Sequence, residues 1–289
     1  MSPAGRRQPA AAQRAAYVYG VGRLPPDGAP ASLELDGIIP GAPVEPLVHG
    51  DLVAFLSQVP AMPFGADVLG SKPGAEWVRD RVVAHERILE RLCSDGDVVP
   101  FRFATIFHDR DAVLDILGRR RSELEHALDR VCDAAEWGVK LYCHDERLRR
   151  RLEAAPGGIA NLRQTLTEAS PGAQFFLRKK YARALDEAAV SRVELWVERA
   201  RLSLEPLARE AVEVAMQTSA EHGRSETMVM NMAYLVPHGA FVQFRQTLAT
   251  LRNEFAAEGF EDELTGPWPA YHFVSTPREG GENATTAVG

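Results

Sequence analysis

The sequence predicts an α+β protein of two domains, and three observations carry that prediction. Short alternating apolar runs lie in both halves of the chain, helical periodicity fills the stretch around 145–220, and the second half is ordered strand, long helix, strand, helix, strand, strand. That last order fits a ferredoxin-like sheet with a long helical insertion. At 289 residues the chain can bury two modest cores.

The elements follow in order. Residues 1–16 are rich in Ala, Pro and Arg without periodicity and read as a mobile tail. An N-terminal α+β domain over 17–135 opens with a strand at Tyr17–Gly22 (YVYGVG), stopped by Pro25-Pro26, and continues with a strand at Leu52–Val59. After a Pro/Gly-punctuated loop at 62–74, Trp77, Val78, Arg81, Val82, His85, Ile88, Leu89 and Leu92 recur at helical spacing. Asp97–Phe107 (DVVPFRFATIF) alternates as one strand, with Arg102 opposite the phenylalanines, and Asp111–Ala135 reads as one helix.

The second domain spans 136–277. A strand at Trp137–Cys143 leads into a stretch from His144 to about His222 that is almost wholly helical, broken near Pro156-Gly157-Gly158 and Ser170-Pro171-Gly172. Leu177, Tyr181, Ala184, Ala188, Leu195 and Leu202 follow near-heptad spacing, which fits either a projecting helical hairpin or a helix lying flat on a sheet. A strand at Thr227–Val236, a helix at Phe241–Phe255 and strands at Phe260–Leu264 and Tyr271–Val274 complete the domain, and 278–289 reads as a second mobile tail.

Composition narrows the function. A hydrophobic share of 45%, a charged share of 25% and a mean hydropathy of −0.20 describe an ordinary globular chain, and no stretch approaches the length of a membrane span. The net charge of −7 lacks the basic footprint of a nucleic-acid binder. Three cysteines, Cys93, Cys132 and Cys143, without CxxC spacing fit a reducing, cytoplasmic setting without disulfides or a zinc ribbon. The glycine pair Gly20 and Gly22 is followed by Pro25 where a dinucleotide loop needs its third glycine, and GxxxxGK[ST], GxSxG and HExxH are all missing. No metal, nucleotide or other cofactor is therefore expected, and no catalytic residue is assigned.

Other residues invite structural roles. His85 shares the apolar stripe of its helix and reads as a core histidine with a hydrogen-bond partner, while His144-Asp145-Glu146 reads as a solvated strand-to-helix junction. Glu86 is the candidate carboxylate for Arg102 in an ion pair. Trp268, held between Pro267 and Pro269, is expected to pack inward and close the second domain.

Taken together, YVYGVG, the helix with His85-Glu86, VVPFRFATIF, EWGVKLY from Glu136 to Tyr142, NMAYLV from Asn231 to Val236 and LTGPWPAYHFV from Leu264 to Val274 resemble the gas vesicle protein F/L family in content and order. The resemblance runs from about Tyr17 to Val274, and the ending GPWP-x-Y-x-F, with Trp268 and Tyr271, is its most specific block. Ala104 stands where the family usually has glycine, and Ala270 where a second proline is common.

The resemblance implies two α+β domains, the second a modified ferredoxin-like one. It also implies a minor, non-catalytic protein needed to build gas vesicles, the buoyant protein shells of some cells. Its implied partners are the very hydrophobic major shell protein, kept from aggregating and helped to nucleate, and other accessory gas vesicle proteins, with no nucleic acid and no membrane. Its place would be the cytoplasm and the vesicle shell. The first domain is the expected contact region, through the edge of the opening strand and its Tyr17 and Tyr19, although both tyrosines also suit a core. The rival reading is a small-molecule or anion-binding enzyme on the ferredoxin-like sheet, with Arg102 and His85 as its polar groups.

Overall fold

A computed structural model describes residues 14–25, 34–60 and 72–274, and the chain divides into two compact units. Among the described residues, the first contains those up to Cys132 together with Pro269–Val274, and the second runs from Asp133 to Trp268. The division therefore departs from the expected 17–135 and 136–277, because the segment after Trp268 groups with the first unit. Most of both expected tails lies outside the described residues, but Arg14–Ala16 belong to a strand.

The first unit comprises β1 (Arg14–Arg23), β2 (Glu45–His49), β3 (Leu52–Pro60), α1 (Lys72–Asp95), β4 (Val98–Pro100), β5 (Ile106–Phe107), α2 (Arg110–Arg119) and α3 (Arg121–Val131). Its antiparallel sheet has the order β2-β3-β1-β4, with β5 also paired to β1. β1 is thus an interior strand, and eight of its ten residues are buried. Ala16, Val18 and Val21 pack with Val113, Leu117, Leu124 and Leu128 of α2 and α3, while Tyr17 and Tyr19 pack with Ile88, Leu89 and Leu92 of α1. A register shift against β3 between Val18 and Gly20 lets even and odd positions share one face. Gly20 is required there, since a Cβ would stand 2.7 Å from Val98 Cγ1 and from the Val99 carbonyl.

The expected single strand over 97–107 is two short strands around a turn. Pro100 has no N–H to continue the ladder, and Ala104 adopts φ 63°, a left-handed conformation that ends an extended run. The expected helix over 111–135 is likewise two helices. It breaks at Arg120, two residues after Gly118, and ends at Val131, where Asp133 at φ 53° turns the chain into the next strand.

The second unit comprises β6 (Ala134–Cys143), α4 (Asp145–Ala154), α5 (Gly158–Glu168), α6 (Pro171–Leu204), β7 (Glu210–Glu213), α7 (Ser219–His222), β8 (Thr227–Pro237), α8 (Phe241–Phe255) and β9 (Phe260–Trp268). Its strands lie in the order β7-β8-β6-β9 with every neighbour antiparallel, which is the ferredoxin-like arrangement, and α4 to α6 form the helical insertion. β7 lies inside the stretch read as helical. Val139 and Leu141 of β6 and Met230, Met232 and Tyr234 of β8 form one core with Phe244, Leu248, Leu251 and Phe255 of α8 and Leu185, Ala189, Trp196, Ala200 and Leu204 of α6.

Both readings of the long helix describe part of it. From Leu185 onward α6 packs flat into the core, whereas its earlier turns lie against α5, which buries no side chain, and reach α4 through the Tyr181 hydroxyl bonded to Glu153. Leu195 and Leu202 of the heptad set are exposed, because the buried face is the one carrying Leu185, Ala189 and Trp196.

Trp268 does not pack inward. β9 pairs with β6 as far as Thr265, the register then shifts, and Trp268 emerges 43% exposed with its indole N–H donating to Thr265 Oγ1 at 3.1 Å. The buried indole is Trp196, whose N–H donates to Glu258 Oε2 at 2.9 Å. Nor is Tyr271–Val274 a strand: it is a turn whose Phe273 is buried in the first unit. Accordingly, Trp196→Ala is expected to cost about 3–5 kcal/mol in urea unfolding and Trp268→Ala about 1 kcal/mol or less. Equal losses from the two substitutions would contradict this placement.

Candidate functional site

The sequence-derived candidates in the first unit resolve into two buried networks built on β1. Tyr17 and Tyr19 are fully buried, with ring centroids 5.1 Å apart, so neither offers a surface to a partner, and β1 has neighbours on both edges. Their expected role as partner contacts is corrected: a strand apolar on both faces is covered on both. The Tyr19 hydroxyl accepts from the Ile38 N–H at 2.7 Å and lies 2.8 Å from Ser57 Oγ. Because Ser57 uses its own proton on the carbonyls of Ala42 and Pro43, both at 3.0 Å, Tyr19 donates to Ser57. Burial pushes the Tyr19 hydroxyl up to about 12.

Tyr17 meets His85. His85 Nε2 lies 3.1 Å from the Phe101 carbonyl, which can only accept, so Nε2 carries the proton and Nδ1 accepts from the Tyr17 hydroxyl at 2.9 Å. The Tyr17 oxygen in turn accepts from the Ala104 N–H at 3.0 Å. The left-handed conformation of Ala104 thus sits in the turn that caps Tyr17. Burial pushes the imidazole down to about 4 and raises the Tyr17 hydroxyl well above its ordinary value.

Glu86 and Tyr271 come together across 185 residues of chain, and Arg102 does not join them. The Tyr271 hydroxyl donates to Glu86 Oε1 at 3.1 Å and lies 3.3 Å from His85 Nε2. Burial raises Glu86, and the Tyr271 hydrogen bond lowers it part-way. Arg102 is exposed in the turn before Ala104 and forms no ion pair with Glu86, because the break in the expected strand carries its side chain to solvent. The Arg102 and His85 pair of the rival enzyme reading is therefore not assembled into a site.

A family model described as "Gas vesicle synthesis protein GvpL/GvpF" matches residues 15–275. The chain belongs to this gas vesicle family. It is 29% identical over 274 residues to gas vesicle protein L of Streptomyces sp. (strain CB03234), covering 92% of this chain and 95% of that one. It is 27% identical over 258 residues to gas vesicle protein F of the same organism, covering 89% and 98%. The crystal structure of the gas vesicle protein GvpF from Anabaena sp. PCC7120 superposes with a TM-score of 0.67 at 18% identity, covering 92% of this chain and 98% of that one, which establishes the shared fold. The near-equal identities to L and F leave the chain between the two paralogues.

The surface of this gas vesicle protein holds what sequence reasoning missed. Large apolar side chains exposed among the described residues are Val48 and Val83 in the first unit, and in the second Met216, Val242, Trp268 and five on α6: Phe175, Phe176, Val190, Leu195 and Leu202. The signal for the α6 group was present, since Phe175-Phe176 follow the helix-starting Ser170-Pro171 ahead of the heptad set. His144, read as solvated, is three-quarters covered and lies 2.9 Å from Glu261 and 3.4 Å from Glu226, with Arg224 2.6 Å from Glu261. Among the described residues no group of three or more His, Cys, Asp or Glu side chains is arranged to hold a metal ion.

Two predictions follow from the buried networks. An unfolded His85 titrates near 6.5 and the folded one near 4, so acid protonates the unfolded chain first; stability is whole above about pH 6.5 and falls by up to roughly 3 kcal/mol towards pH 4. Glu86, raised on folding, offsets part of that loss because its own contribution grows as pH falls. Urea unfolding from pH 7.5 to 5 should therefore show a steeper loss in Glu86→Gln than in wild type; a flat profile in that variant would rule out the neutral buried imidazole. Ala104→Gly relieves the left-handed strain and should stabilise the protein by about 0.5–1 kcal/mol by the same measurement, whereas a loss would place the backbone elsewhere.

Proposed function

We propose that this gas vesicle protein is a non-catalytic assembly factor. It binds the hydrophobic major shell protein, keeps it from aggregating before it enters the wall, and assists nucleation, working in the cytoplasm and on the growing shell beside other accessory gas vesicle proteins. Membership of the family supports the setting. The observation that carries the binding role is that five of the ten large apolar side chains exposed among the described residues lie on the single helix α6. Such a surface matches an apolar client.

The contact region moves accordingly from the first unit to the second. Removing the residues before Pro25 deletes an interior strand and cannot serve as a binding variant.

Shell protein diluted from denaturant, followed by light scattering with and without the full chain over a series of salt concentrations, tests the reading. Suppression at near-stoichiometric ratios that changes at most a few-fold up to moderate salt is expected of apolar contact. Scattering unchanged by the protein at every salt concentration would remove the chaperone reading.

A further inference from the structure

We propose that the flank of α6 bearing Phe175 and Phe176 docks an acidic amphipathic helix of a partner polypeptide. The two rings are 72% and 74% exposed and stand edge to face with centroids 5.6 Å apart, an aromatic pair already assembled before any partner arrives. Its position follows from the length of the helix. Three, seven and ten residues before the buried Leu185, the face that enters the core further along carries Ala182, Arg178 and Phe175, all exposed. That face thus continues past the buried stretch to an exposed Phe175, with Arg178 between, while Leu177 and Tyr181 beside it are partly covered.

Charge selects the occupant. Residues 161–180 hold Arg163, Arg178, Lys179 and Lys180 against Glu168, a local charge of +3 in a chain of net −7. Among the described residues Lys179 and Lys180 are exposed and in no ion pair, whereas Arg183 one turn further on pairs with Glu187 at 2.7 Å. An acidic partner repelled by the molecule as a whole is attracted at this flank, so the charges steer and orient it while the rings supply contact area.

A second copy of the chain docking flank to flank would set lysine against lysine. A lipid surface would have to accommodate Thr165, Thr167 and Glu168, because α5 ends where α6 begins. A side-on polypeptide helix with carboxylates beside its apolar stripe meets the rings and lysines together.

The inference rests on the proposed function only in taking that partner to be a gas vesicle polypeptide. The probes are two labelled helical peptides with the same leucine face, one carrying glutamates on its flanks and the other lysines, titrated with the full chain by fluorescence anisotropy at low salt. Wild type should bind the glutamate peptide at least tenfold more tightly, with the ratio narrowing as salt rises. Phe175→Ser with Phe176→Ser should lose binding to both peptides, and Lys179→Glu with Lys180→Glu should reverse the preference, with circular dichroism and Tm confirming that both double variants fold. Equal binding of the two peptides, or full binding by the phenylalanine variant, overturns the proposal. So does phenylalanine-dependent binding of phosphatidylserine vesicles without peptide binding, or a wild-type dimer in sedimentation that the phenylalanine variant abolishes. Shell-protein scattering separates the two readings: suppression by wild type and phenylalanine variant alike removes the shell protein as this flank's partner and leaves the chaperone reading standing, whereas no suppression by wild type defeats the chaperone reading while the peptides still decide the flank.

Discussion

Two phenolic hydroxyls on a strand with no exposed face must find partners inside the protein, and much of the first unit is arranged around that demand. An unpaired buried hydroxyl costs on the order of 1–3 kcal/mol, comparable to a large share of a domain's net stability. Tyr19 is satisfied by the Ile38 N–H and Ser57, which ties the chain before β2 to β3. Tyr17 is satisfied by the Ala104 N–H and His85, which ties the turn between β4 and β5 to α1. His85 then needs an acceptor for its remaining proton, found on the Phe101 carbonyl, and its neighbour Glu86 needs a donor, found on Tyr271. One strand thereby positions a helix, two connecting segments and the end of the described chain.

That chain of demands explains why the segment after Trp268 belongs to the first unit. Ala270 and Phe273 are buried there, Tyr271 packs beside α1, and Val274 packs against the core under α2 and α3. The GPWP-x-Y-x-F ending is therefore composite. Its tryptophan ends β9 in the second unit, and its tyrosine completes a network in the first. A short motif can be specific to a family without its residues sharing one role.

Much of this was legible in the residues, and the failures have physical causes. The alternation of YVYGVG and the apolar run of TMVMNMAYLV marked β1 and β8, and the 3.6-residue spacing from Trp77 to Leu92 marked α1 with His85 facing inward. Burial of both faces of β1 could have been inferred from its unbroken small and apolar residues; nearness to a tail argued wrongly for an edge. β7 is four residues, Glu210–Glu213, with a glutamate at each end, so nothing local distinguishes it from the charged helix before it. The Arg102 pairing failed because alternation cannot register a turn hidden in an alternating run. The glycine that the family resemblance leads one to expect at position 104 is the available clue, and the left-handed backbone of Ala104 is a conformation that suits glycine. For Trp268, flanking prolines fix the backbone without fixing which way the indole turns.

Under the proposed assembly role, the same physics favours helix over sheet as the means of holding an apolar client. Three sheet edges among the described residues, β2, β7 and β9, carry features that discourage strand addition. β2 places Pro46, which lacks an N–H, in a five-residue edge strand. β7 is too short to template a strand, and β9 presents Glu261, Asp262 and Glu263 in succession, with Asp262 held by both Arg252 nitrogens at 2.6 and 2.7 Å. A protein that must meet aggregation-prone apolar chains without joining their sheets benefits from guarded edges, because an open edge would recruit the client into a ladder that is difficult to release. Side chains on a helix supply contact area, oriented by the charges beside them, without extending a backbone ladder. The α6 surface has that character, since its exposed side chains add no unpaired backbone groups to the contact.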